Sequence, residues 1–317
     1  MPKRSKRIVM HDSAKLAKIN PETKELMKKY ERDMSIRNLS PGSVYQYKTS
    51  LNQWFIYILD KQDNRSVLNL TEDDIEEFLF FCKQEGNNEN RMRVRTSVIS
   101  SFYKFLRKKK LIIENPCEFI SRPRGGARIV TQTFLTPEQV ELMRKKLIEL
   151  NNTQIRLYAL FSLSTMARVN AVASVRWDQI DLDNRVVHDV LEKEGKVVDL
   201  FFSEEVKSIM IDLKEERRLK SLNDHGWLFM GKRAGEDIQI DTGTLNAWCK
   251  LIGKMIGVPT LHPHDWRHTG ATLLRNAGMP LEDISILLHH ESIDVTRKFY
   301  IKEDSTRLIR LKDQYQI

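Results

Sequence analysis

The nine residues His264-Asp265-Trp266-Arg267-His268-Thr269-Gly270-Ala271-Thr272 decide how this chain is read. Pro263 at a first helical turn and Gly278 beyond Asn276 bracket them as one helix. His264 and Arg267 then stand at i and i+3 on one helical face. That sets a permanently charged guanidinium beside an imidazole.

Three other places in the second half share that chemistry. Arg168 closes Thr165-Met166-Ala167-Arg168-Val169, directly after the apolar run Leu157, Leu160, Phe161 and Leu163. An arginine in so apolar a setting needs an anionic partner. Lys193 precedes Glu194-Gly195, a turn between two β-rich arms: Val186, Val187, Val190 and Leu191 on one side, Val197, Val198, Leu200 and Phe201 on the other. His289-His290 is followed, ten residues after His290, by Tyr300. Taken singly, each has a plainer explanation: an internal salt bridge for Arg168, an exposed hairpin lysine, a helix cap for His290, packing for Tyr300.

Bulk properties set the frame. At 317 residues the chain suits two domains, and 41% hydrophobic residues suffice for real cores. The formal net charge of +9 fits a polyanionic partner such as nucleic acid, because neutralised phosphates release counterions. Cys82, Cys117 and Cys249 form no CxxC pair, which fits a reducing cytoplasm and neither a disulfide framework nor a zinc ribbon. The basic start lacks the apolar core of a signal peptide, and no apolar run approaches the ~20 residues of a membrane span.

In the first half, residues 1–20 read as a basic, mobile tail, with order beginning near Pro21. Ser40-Pro41 caps a helix bearing Val44, Tyr47, Leu51, Trp54, Phe55 and Ile58, and Thr71 with Asp74 opens another. A third, over roughly 90–110, buries Val94, Val98, Phe102, Phe105 and Leu106. Its other side is expected to show Arg91, Arg95, Lys104 and Lys108, either a solvated face or a track for backbone phosphates. Asn115-Pro116 and Pro123-Arg124-Gly125-Gly126 mark a linker, and Thr136-Pro137-Glu138-Gln139 restarts the chain with a capping box. The expected division is a tail at 1–20, a helical DNA-binding domain at 21–115, a linker at 116–132 and a catalytic domain at 133–317.

Over residues 25–310 the chain resembles the tyrosine recombinases, or phage integrases. Thr165–Ala171 falls on that family's T-G-L-R-x-x-E box, His264–Thr272 on H-x-L-R-H-T-x-A-T, and Leu288–Ile293 with Tyr300 on L-G-H-S-S-I and its downstream tyrosine. Phe102–Leu106 and Asn115-Pro116 resemble the family's helical core-binding domain. Departures stand at Ala171, where an acid is usual, at Met166-Ala167 in place of Gly-Leu, and at His289, where glycine is common. The resemblance implies a mainly α fold with a small antiparallel sheet, two domains clamping duplex DNA, and strand exchange through a phosphotyrosine without metal, cofactor or ATP. By that resemblance Tyr300 is the nucleophile, Arg168 and Arg267 neutralise the phosphate, His264 assists proton transfer, His290 hydrogen-bonds the phosphate and Lys193 protonates the leaving 5′ oxygen. It also implies four protomers on two DNA sites, with Leu308-Ile309-Arg310-Leu311 as a segment docking onto a neighbour, and it admits accessory DNA-bending proteins.

Three rivals share parts of this pattern. His264-Asp265-Trp266-Arg267-His268 differs by one acidic type from the zinc-hydrolase H-E-x-x-H, although Asp265 is short and Arg267 would crowd a metal. Loss of the acid at Ala171 is compatible with a DNA-binding protein that keeps the fold without catalysis. A type IB topoisomerase would use the same chemistry.

Overall fold

The computed structural model describes residues 12–121, 134–192, 195–233, 235–294, 296 and 312–313. The chain divides into two compact units, Met1–Val130 and Thr131–Ile317.

The first unit is helical: α1 Ser13–Lys18, α2 Pro21–Ile36, α3 Pro41–Lys61, α4 Glu72–Gln84 and α5 Glu89–Lys108. The helices start where the sequence provides caps. Ser40 accepts from the amide of Ser43, Thr71 and Asp74 form a reciprocal capping box, and Asn88 accepts from Arg91. Their apolar stripes meet in one core around Tyr30, Trp54, Phe78 and Phe102, each with no exposed surface. Tyr30 meets Phe102 edge-on at 5.2 Å, an arrangement that aligns the ring quadrupoles. Tyr103 is buried among these rings because its hydroxyl has a partner, the carbonyl of Val67 at 2.8 Å.

Two expectations for this unit are corrected. Ser13–Lys18 is already helical ahead of the expected start near Pro21, because Asp12 caps α1 and Lys15 pairs with Asp60 of α3 at 2.6 Å. Since α1 buries no residue fully, it shows no apolar periodicity. Packing also runs past residue 115, where Cys117 and Ile120 belong to the same core.

The second unit comprises α6 Pro137–Leu150, α7 Thr153–Thr165, α8 Val169–Ala173, β1 Ile180–Asp181, β2 Val186–Leu191, β3 Val197–Phe201, α9 Glu204–Leu219, β4 Met230–Arg233, β5 Glu236–Gln239, α10 Thr242–Met255, α11 Pro263–Asn276 and α12 Leu281–Leu287. α7 is apolar on every side and accordingly lies at the centre, with α6, α9, α10 and α11 packed around it. The Thr136–Gln139 capping box forms as expected. Strands β1, β2 and β3 make an antiparallel sheet in that order, pairing Val187 with Leu200 and Leu191 with Val197. A second hairpin, β4–β5, was not legible in the sequence because Met230–Arg233 and Glu236–Gln239 carry almost no β-branched pattern. Among the described residues no helix is long and apolar enough to cross a membrane.

One close approach positions the site. A Cβ on Gly270 of α11 would lie 2.5 Å from the carbonyl oxygen of Leu163 and 2.6 Å from Cγ of Met166. Glycine there lets α11 lie against the C-terminal end of α7, which puts Arg267 over the last carbonyls of that helix.

Candidate active site

The polypeptide leaves α7 through Met166, whose φ of 54° is left-handed. That is why glycine is usual at this step, and a buried side chain packed with Ala271, Ile284 and Leu288 offsets the strain here. The turn delivers Arg168 to the N-cap of α8. Its guanidinium pairs with the carboxylate of Glu192 at the end of β2. The arginine side chain keeps 36% of its surface exposed, while that of Glu192 keeps none.

Arg267 is 2% exposed and held by carbonyl oxygens at two helix C-caps, Met166 at 2.8 Å and Leu288. Carbonyls at helix ends lack intrahelical partners and concentrate negative charge, so they can hold a cation that has lost its water. His264 lies one turn before Arg267 and meets His268 edge-on at 4.6 Å. Arg168, Glu192, His264 and Ala171 line one pocket of about 240 Å³. The pocket therefore joins the first arginine box to the helix bearing the second.

After α12 the backbone turns through His289, again left-handed with φ 51°. His290 follows, its Nδ1 2.7 Å from the hydroxyl of Thr296, which is wholly buried. Loss of hydration, reinforced by Arg267 and Arg168, pushes His290 down to about 4. His264 is pushed to about 4 as well, by loss of hydration first and then by His268 and Arg267. Both rings are neutral near pH 7, able to accept a proton or a hydrogen bond. Glu192 moves oppositely to what burial dictates: His289, Arg168 and Arg267 outweigh the loss of water and hold its carboxyl below the usual range.

Of the residues singled out in the sequence, Arg168, His264, Arg267 and His290 surround this one corner, whereas Lys193 and Tyr300 lie outside the described residues. On α5, Lys104 and Lys108 are exposed and line a cleft of about 460 Å³ that also takes in Arg107, and Arg91 is half-buried. Arg95 is corrected. It is 2% exposed, its Nε donating to Asn87 at 2.7 Å and its guanidinium over the Phe78 ring at 5.6 Å, so it faces the core. The i, i+4 spacing from Arg91 placed it on the charged side, but α5 buries more than half its circumference.

The sequence reading missed Glu192 and the role of His289. The only available signal was a lone glutamate at the end of a β-arm. On the zinc reading, Asp265 accepts from the His262 amide at 2.9 Å and faces the His262 ring at 3.0 Å. Among the described residues no three His, Cys, Asp or Glu side chains converge so as to hold a metal.

The second unit matches the model of the phage integrase family over residues 133–307, and residues 27–110 match the phage integrase N-terminal SAM-like domain. The tyrosine recombinase XerC of Bacillus licheniformis is 28% identical over 283 residues, covering 86% of this chain and 90% of that protein. XerC of Bacillus subtilis is 27% identical, covering 82% and 86%. The fold is similar to that of XerH site-specific recombinase bound to a palindromic difH substrate, with TM-score 0.72, 17% identity and coverage of 93% and 84%. A lambda integrase dimer bound to a core site gives TM-score 0.68 at 16% identity, covering 93% and 83%. With its family match spanning more than half its length, its helical fold and its paired arginine boxes, the chain belongs to the phage integrase family of tyrosine recombinases.

Proposed function

We propose that this protein is a site-specific DNA recombinase that cuts and rejoins duplex strands through Tyr300. The observation that carries this is the convergence of Arg168 and Arg267 with two neutral histidines on one corner of the second unit. Attack on a phosphodiester builds negative charge on the phosphoryl oxygens. Guanidiniums fixed in advance stabilise that charge without reorganising. A free phenol, with pKa ~10, needs a proton acceptor to attack near neutral pH.

In this mechanism Tyr300 Oη bonds to phosphorus and gives its proton to His264. His290 donates to a phosphoryl oxygen, and the bond from phosphorus to the 5′ oxygen breaks. Lys193 gives that oxygen a proton, leaving a 3′-phosphotyrosine and a free 5′-hydroxyl. A second 5′-hydroxyl reverses the step, so the phosphodiester energy is conserved and ATP is not needed. The partner is double-stranded DNA, with Lys104, Lys108 and Arg91 of the first unit contacting phosphates. Four protomers act on two sites, aided by accessory DNA-bending proteins, and the two compact units correspond to a DNA-binding domain and a catalytic domain.

A randomised pool of nicked duplexes tests the reading. Covalent capture in detergent should enrich a duplex that the wild-type chain traps, while Tyr300→Phe traps none yet still shifts the duplex in a native gel. Capture undiminished in the phenylalanine variant would remove Tyr300 from the mechanism.

A further inference from the structure

We propose that Glu192 is the positioning residue that fixes the Arg168 guanidinium for the scissile phosphate, supplying from the β2–β3 hairpin the carboxylate that Ala171 lacks. The inference rests on the reading above of Arg168 as a phosphate-binding group.

Burial distinguishes this role from its nearest competitor, a carboxylate that merely occupies the phosphate position in the absence of DNA. Such an occupant would lie on the open side of the arginine. Glu192 lines the same pocket but has no exposed side-chain surface, while Arg168 keeps 36%, so the exposed part of the guanidinium is left to an incoming anion with the carboxylate still in place. Ala171 lines the same pocket, fully buried, with only a methyl group to offer. Without a partner, Glu192 would be a buried carboxylate with no counter-charge, and Arg168 would lose the carboxylate it is paired with.

His289 stands beside the carboxylate and ties the hairpin to the following turn. Its Nε2 donates at 3.1 Å to the carbonyl oxygen of Asp199 on β3, and its Nδ1 is 3.8 Å from Glu192 Oε2, beyond hydrogen-bond reach. In return its own carbonyl accepts from Lys196 Nζ at 3.1 Å. The hairpin is thereby tied to the corner that presents His290. The contacts to Asp199 and Lys196 offset the left-handed backbone at His289. Since Lys193 follows Glu192 directly, the carboxylate that holds Arg168 also anchors the residue next to the proposed general acid.

The test uses the full chain and the nicked duplex enriched by covalent capture, measuring single-turnover cleavage and duplex affinity separately. Glu192→Gln keeps the shape and removes the charge. Cleavage should fall about tenfold to a hundredfold, the usual effect of removing an outer partner that orients a site group, while duplex affinity stays within about threefold. In an Arg168→Lys background the same change should cost less than about threefold, because the two residues act as one unit. Glu192→Asp keeps the charge and should retain more activity than Glu192→Gln. It also serves as the comparison if the glutamine variant does not fold. Cleavage by Glu192→Gln equal to wild type overturns the proposal. So does cleavage above wild type, which would mark Glu192 as a phosphate placeholder, or an undiminished loss in the Arg168→Lys background. Failure of the wild-type chain to capture any duplex would instead defeat the functional reading.

Discussion

At the scale of single residues, the site depends on groups whose charge state the surroundings have fixed. His264 and His290 are both pushed down to about 4 from an ordinary 6.5. As pH falls through 6.5 the unfolded chain takes up protons at these positions, and the native chain does not until about 4. Their contribution to stability is therefore complete above 6.5 and is lost as pH falls towards 4. The urea midpoint of the wild-type chain should drop more between pH 7 and pH 4.5 than that of a His264→Gln/His290→Gln double variant. Equal drops would contradict the placement of these rings beside the arginines. Arg168, Arg267, His264 and His290 were legible in the sequence because phosphate chemistry restricts residue types and the boxes fix their spacing. Glu192 was not, because one glutamate ending a strand carries no pattern until folding brings Arg168 and His289 to it.

At the scale of elements, helix boundaries were the most legible feature, since Thr71, Thr136, Asn276 and Gly278 punctuate the chain through local hydrogen bonds and backbone freedom. What failed was the inference of sidedness. Helix α5 reads as a half-charged amphipath, yet Arg95 is turned inward and spends its charge on Asn87 and the Phe78 face. The charged side of α5 is thus Lys104, Arg107 and Lys108. Replacing Lys104 or Lys108 by alanine should lower the salt slope of duplex binding by about 1 each. Arg95→Met should leave that slope unchanged and lower the melting temperature instead. A slope unmoved by both lysine changes would remove this helix face from the interface, and a slope reduced by Arg95→Met would contradict the inward role of that arginine. The second hairpin, β4–β5, and helix α1 escaped for a related reason: both are stabilised by pairing and polar caps rather than by apolar periodicity.

At the scale of the whole molecule, two compact units with separate cores carry a basic helix on one and the arginine–histidine corner on the other. Four protomers on two duplexes are proposed from the resemblance to the tyrosine recombinases, not from the arrangement of these units. Deleting residues 303–317 should abolish cooperative synapsis while leaving single-site binding within about threefold. Cooperative synapsis by the truncated chain would exclude that segment from protomer docking. The central claim, that this corner holds a phosphate against a phenolic oxygen, is tested most directly by mass spectrometry of the captured complex after nuclease and protease digestion. A nucleotide remnant on the peptide containing Tyr300, linked through its 3′ phosphate, is the predicted result. A remnant on any other residue, or a 5′ linkage, would contradict it.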